Sequence, residues 1–271
     1  METGKALRIR RFFRRKRTVI IPLDHALYSG PVKGIEDPKN LVKVISQSEA
    51  EGILVTPGIL MKIKDVIGNL AVVLRIDGTH TRLGSHLERI ELISTVETAL
   101  KLGADMVAIN VFVGTENEDI LLKKLGIVST ACLDWGMPLM AEMIPASTLS
   151  YHYGKKEEDN ADITDDIKLV ARLGAEIGAD IIKTHYTGSI ESFKEVVDTA
   201  TVPIVIAGGP KVSSDEEFIK LVEEISISEA SGICIGRNIW QAKDPKKMLK
   251  AVCTLIHGET NETSGVHRGN A

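Results

Sequence analysis

"IGADIIKT" (residues 177–184) has three relatives in the same chain: "EAEGILVT" (49–56), "LGADMVAI" (102–109) and "EASGICIG" (229–236). Each follows a helical pattern, breaks at a glycine or another small residue that can end the helix, and enters a short run rich in Ile, Val or Met. This is the repeating αβ unit of a parallel sheet. Filling the intervals predicts strands at Thr18–Leu23, Gly52–Thr56, Ala71–Ile76, Asp105–Val111, Pro138–Met143, Asp180–Thr184, Pro203–Ala207 and Gly232–Gly236. Helical patterns follow nearly all of them, among them Pro38–Ser48, Ile90–Leu102, Asp165–Ile177, Ser189–Ala200, Asp215–Ser228 and Pro245–His257. Such alternation within 271 residues predicts a single α/β domain, a (β/α)8 TIM barrel over 18–258. A doubly wound open sheet is the competing architecture. It would want a glycine-rich turn after the first strand, where this chain has "PLDHALYSG" (22–30).

Composition agrees with strands buried on both faces: 44% of residues are hydrophobic but only 4% aromatic. A net charge of −4 gives no global reason to expect nucleic acid or a membrane surface as partner. The local exception is "KALRIRRFFRRKR" (5–17), which reads either as a basic nucleic-acid arm or, in the favoured reading, as an amphipathic N-terminal segment over 1–17. That segment would lay Leu7, Ile9, Phe12 and Phe13 on the body and keep its guanidinium groups in water. Cys132, Cys234 and Cys253 lack disulfide or metal spacing, and no apolar run is long enough to cross a bilayer. The expectation is a cytoplasmic protein with neither metal nor cofactor. The polar interval 151–162 is expected as a loop on the active face, and 259–271 as a flexible C-terminal tail.

Catalytic groups of a barrel lie at the C-terminal ends of its strands. Those ends carry Asp24 and His25, Thr56, Arg75 and Asp77, Asn110, Glu142, Lys183, Gly208–Lys211 and Gly236–Asn238. Lys183 shares a strand face with Ile181, so it points into the barrel mouth. Burial and neighbouring cations would lower its pKa and supply the neutral amine that attacks a carbonyl; the alternative is an ion pair with Asp24 or Glu142. Gly208, Gly209 and Gly236, with Lys211 and Arg237 beside them, suit a phosphate, although glycines also serve simply to make tight turns. A lysine beside a phosphate grip suggests a phosphorylated ketone or aldehyde. Asp24 is the first candidate to move a proton or position a hydroxyl, and His25 is a weaker candidate for binding substrate. A metal-assisted reaction would need histidines gathered from distant positions.

The stretches "TVIIPLDHALYSGPVKG", "WGMPLMAEMIP", "LGAEIGADIIKTHYTGSIESF", "VPIVIAGGPKVSSDEEF" and "GICIGRNIWQ" resemble the DeoC/FbaB-type class I aldolases. Members include archaeal fructose-bisphosphate aldolase and 2-amino-3,7-dideoxy-D-threo-hept-6-ulosonate synthase, and the wording here is closer to the latter. The resemblance implies Lys183 as the imine-forming residue, Asp24 as an acid/base partner and phosphate held around Gly208, Gly209, Gly236 and Arg237. It also implies a decamer or another large homo-oligomer. The family's tyrosine before proline after strand five serves as proton donor, and here Ile144 precedes Pro145. Tyr153 is the chosen substitute, ahead of Tyr151, Tyr186 or a histidine. Loss of that tyrosine also leaves open a barrel that binds a sugar phosphate without chemistry.

Overall fold

In the computed structural model, residues 3–153 and 162–258 are described. Eight parallel strands close into a barrel in sequence order. They are β1 Thr18–Pro22, β2 Gly52–Val55, β3 Ala71–Arg75, β4 Met106–Val113, β5 Leu139–Pro145, β6 Ile181–Thr184, β7 Ile204–Ala207 and β8 Gly232–Cys234. The helices are α1 Thr3–Phe12, α2 Ala26–Ser29, α3 Pro38–Ser46, α4 Pro57–Ile63, α5 Val96–Lys101, α6 Glu118–Asp134, α7 Leu149–His152, α8 Thr164–Ile177, α9 Ile190–Thr199, α10 Asp215–Ile227, α11 Arg237–Trp240 and α12 Pro245–His257. The (β/α)8 TIM barrel is therefore the architecture, and the open sheet is excluded.

Local chemistry sets the helix ends. Asp37, Ser189, Ser214 and Asp244 each accept a backbone N–H three residues on, and Pro38 and Pro245 occupy first helical positions where no N–H is needed. Strand alternation then divides the core. Val19, Ile53, Val107, Ile182 and their like pack outward against the helices, whereas Ile20, Leu54, Val73, Met106, Met140, Ile181 and Val205 fill the barrel interior.

Phe12 belongs to that interior cluster and is fully buried, so the C-terminal end of α1 plugs the barrel floor. The basic segment thus does more than lie on the surface. The residue just before each of β2, β4 and β6 is acidic. Glu51, Asp105 and Asp180 accept the backbone N–H groups of Val19, Val72 and Leu139 on the neighbouring strands, at 2.8–2.9 Å. They also pair with Arg15, Arg11 and Lys5 at 2.9, 2.7 and 2.9 Å. Arg8, Arg14 and Arg17 donate to the carbonyls of Gly136, Asn69 and Ser228.

Two expectations change here. Leu7 is 55% exposed rather than laid on the body, and most guanidinium groups of the segment bond to the barrel rather than to water alone. The helix expected over Ile90–Leu102 forms only at Val96–Lys101. The N–H groups of Ile93 and Ser94 both donate to the Ile76 carbonyl, which draws the first half of that segment across the end of β3. The tail 259–271 lies outside the described residues, as does most of the polar interval after β5. Among the described residues no helix is long and apolar enough to cross a membrane.

Candidate active site

At the C-terminal end of the barrel a cleft is lined by groups from seven strands or the turns that follow them: β1, β3, β4, β5, β6, β7 and β8. The ladder itself assembles the centre. Asn110 of β4 pairs in register with Glu142 of β5, and Glu142 with Lys183 of β6, so three inward polar side chains stand abreast. Lys183 donates to Glu142 at 2.6 Å. Arg75 donates to the other oxygen of Glu142 and, through Nε, to Asp24 at 2.9 Å, while Asp77 pairs with Lys124 at 2.8 Å. Three carboxylates and three cations therefore lie buried together with no net formal charge.

This network reverses the expectation for the lysine. Burial opposes its charge, but the Cys234 sulfur and the Glu142 and Asp24 carboxylates outweigh it and hold the ammonium above the ordinary lysine value. Burial pushes the Cys234 thiol up to about 12, so near neutrality it is uncharged and the carboxylates carry the effect. The ion pair is the resting state, and a proton must leave before the amine can attack. Glu142 is held well below the carboxylate range: burial favours its neutral form, yet Lys183 and Arg75 prevail.

Arg237 differs from the other pocket cations. Among the described residues it has no carboxylate within ion-pair distance, and its guanidinium donates to the carbonyl of His152 at 3.2 Å. Gly209 and Gly236 line the cleft beside it. Gly236 must be glycine, since a Cβ there would lie 2.6 Å from the Trp240 indole nitrogen and 2.9 Å from the Pro22 carbonyl oxygen; a Cβ on Gly209 would displace the ring of Tyr151. Gly208 also lines the cleft, but its N–H already donates to the Cys234 carbonyl. Lys211 lies elsewhere. Its ammonium donates to the Gln241 carbonyl at 2.5 Å and faces Asp215, in a separate surface depression, which removes it from the phosphate grip.

Buried polar atoms without a hydrogen-bond partner converge on the same cleft: Arg75 Nη1 and Asp77 Oδ1, which face each other at 3.6 Å, Asn110 Oδ1, and His25 Nδ1, which faces Asp24 at 3.6 Å. A set of one cationic donor, two acceptors and an imidazole suits a polyhydroxylated ligand, whose hydroxyls both donate and accept.

The profile of the DeoC/LacD family aldolases matches residues 18–242. The chain belongs to that family. An uncharacterized aldolase of Saccharolobus solfataricus is 33% identical over 264 residues, 94% of each chain. A 2-amino-3,7-dideoxy-D-threo-hept-6-ulosonate synthase of Archaeoglobus fulgidus is 34% identical, with 94% of this chain and 92% of that one covered. An archaeal fructose-1,6-bisphosphate aldolase whose catalytic lysine is bound to the carbinolamine intermediate superposes with a TM-score of 0.83 at 28% identity, over 94% of this chain and 100% of that one.

The tyrosines of this aldolase fall differently from the expectation. The Tyr153 hydroxyl donates to the Leu87 carbonyl at 2.8 Å and meets His80 Nε2 at 3.1 Å, so it serves the loop after β3 and does not line the cleft. Tyr186 donates to Glu224 on α10. Tyr28 does line the cleft, stacked on His80, with burial pushing its phenol up to about 12. Ile144 is fully buried opposite Phe112 in the ladder, an apolar wall where the family's tyrosine would stand. The residue that sequence reasoning passed over is His152. It lines the cleft with Nδ1 3.9 Å from Glu142 Oε1. Its signal was only a histidine ten residues beyond Glu142, between the two tyrosine candidates Tyr151 and Tyr153.

Proposed function

We propose that this aldolase forms a Schiff base between Lys183 and a phosphorylated ketose, and acts as an aldol transferase of the 2-amino-3,7-dideoxy-D-threo-hept-6-ulosonate synthase kind. The observation that carries this reading is the buried Lys183–Glu142 pair beside Arg237, the pocket cation without a carboxylate partner among the described residues. Arg237, with the Gly209 and Gly236 turns, would hold the phosphate, leaving the ketone carbon over Lys183. Asp24, fixed through Arg75, would orient a substrate hydroxyl, and His25 would line its path. Fructose 1,6-bisphosphate cleavage is the second reading, favoured by the TM-score of 0.83 to the archaeal enzyme with its trapped carbinolamine.

Borohydride reduction in the presence of fructose 1,6-bisphosphate or dihydroxyacetone phosphate tests the chemistry. A mass increase on the Lys183 peptide, absent from Lys183→Met, is expected. A folded wild-type protein with no adduct from either compound would favour a barrel that binds sugar phosphates without reaction. A homo-oligomer is also proposed, because α6 turns Ile120 and Ile127, 48% and 57% exposed and two turns apart, to one side. Sedimentation velocity giving only a monomer would refute it.

A further inference from the structure

The aldol step needs a group that takes a proton from the substrate hydroxyl next to the breaking carbon–carbon bond. Most candidates in the cleft are already committed. Asp24 is bound to Arg75, Glu142 to Lys183 and Arg75, and Asp77 to Lys124. His80 is engaged with the Tyr153 hydroxyl. His152 remains. Two ties fix it at the mouth: its carbonyl accepts from Arg237, and its ring packs edge-on against Phe112 at 5.7 Å. Its Nδ1 faces the same carboxylate that binds Lys183, at 3.9 Å against 2.6 Å.

We propose that His152 is the proton-transfer residue of the aldol step and that Glu142 is shared between it and Lys183, neutralising whichever of the two carries the charge. The inference rests on the imine reading above. In the iminium, Lys183 nitrogen is cationic and Glu142 balances it. On cleavage the electron pair of the C3–C4 bond forms the C2=C3 bond of the enamine, and the C=N π pair returns to nitrogen. The C4 hydroxyl proton goes to His152 while its oxygen becomes the aldehyde carbonyl. The positive charge has then moved from nitrogen to imidazole, and Glu142 faces one such cation, besides Arg75, before and after. Returning the proton to C3 of the enamine reverses the shift.

The resting electrostatics fit this hand-over. Burial keeps His152 well below the usual histidine range against the pull of Glu142, with His185 and the Lys183 and Arg75 cations adding to it. Turning the Lys183 nitrogen into a neutral enamine removes one of those cations, so the imidazole gains basicity at the step that needs it. Arg237 links the phosphate grip to the same residue, so a bound phosphate and a placed imidazole go together.

His152→Gln keeps the side chain polar and removes its basicity. The test is borohydride trapping with fructose 1,6-bisphosphate, read by the mass of the Lys183 adduct, alongside cleavage rate and far-UV circular dichroism. Wild type should yield a triose adduct. The variant should still form the imine, accumulate the intact hexose adduct and cleave about 10²- to 10³-fold more slowly. His152→Asn provides a second, smaller variant and should behave the same way. A triose adduct formed at near wild-type rate would overturn the assignment, as would loss of every adduct in folded variants, which would move His152 to imine formation. No adduct in wild type would overturn the imine reading first and this inference with it.

Discussion

Glu142 is the residue on which the site turns, because two buried cations depend on it. Arg75 and Lys183 both donate to it at 3% and 7% side-chain exposure. Glu142→Gln keeps the shape but leaves two cations facing fewer negative charges, and breaking a buried pair of this kind costs about 3–5 kcal/mol. Lys183 loses one of the carboxylates that hold its pKa up, so its pKa should fall and the pH at which borohydride trapping is half-maximal should move lower. An unshifted trapping profile would mean that Asp24 alone sets the lysine. Arg237→Met tests the other end of the cleft. Losing a charge-assisted contact to phosphate should lower kcat/KM by about 10- to 100-fold for a phosphorylated ketose but little for its unphosphorylated analogue. Steady-state kinetics on both substrates would check this.

At the scale of elements, the repeat that reveals the fold also carries its floor. The acidic residue in three of the four repeated phrases is Glu51, Asp105 or Asp180, and each ties a strand start to its neighbour and to the N-terminal segment. Phe12→Ala should therefore cost about 3–5 kcal/mol in urea unfolding, since it empties the barrel interior beneath Ile20 and Leu54. The cleft at the opposite end should keep its KM at 25 °C. The strand ends were readable from sequence because alternation fixes which residues face inward, and Lys183, Asp24, Gly209 and Arg237 all reach the cleft accordingly. Short turns were not readable in that way. His152 and Tyr153 are neighbours at the end of a one-turn helix, roughly 100° apart around its axis, and only the fold decides which one faces Glu142. Lys211 was lost for a related reason, since the carbonyl that captures it, Gln241, is thirty residues away. The partners of the basic N-terminal residues are likewise distant in sequence.

For the whole molecule, acid is the condition that should unfold it first, and buried histidines set where. Burial holds His25 and His185 at about 4, so both stay neutral in the folded protein at pH 5, while in the unfolded chain each takes up a proton near its ordinary value of 6.5. The unfolded state thus binds more protons between pH 6.5 and about 4. Stability is fully present above that window and is lost as the pH falls through it, by up to about 1.4 kcal/mol per pH unit for each histidine. Glu142 adds to the loss further down, because its folded value lies well below that of a free carboxylate. Urea midpoints measured from pH 7.5 to 4.5 should fall steadily below pH 6.5. His185→Asn should flatten the slope while costing some stability at neutral pH, since the ring's bond to Thr148 at 3.0 Å would be lost. His185 does not line the cleft, but its ring lies 5.7 Å from that of His152 and lowers that imidazole's pKa, so this variant is read on stability and not on the pH profile of the reaction. A flat profile in the wild-type protein would mean that these imidazoles find proton acceptors when they charge, and that the barrel tolerates cations at its mouth that its present ion-pair balance excludes.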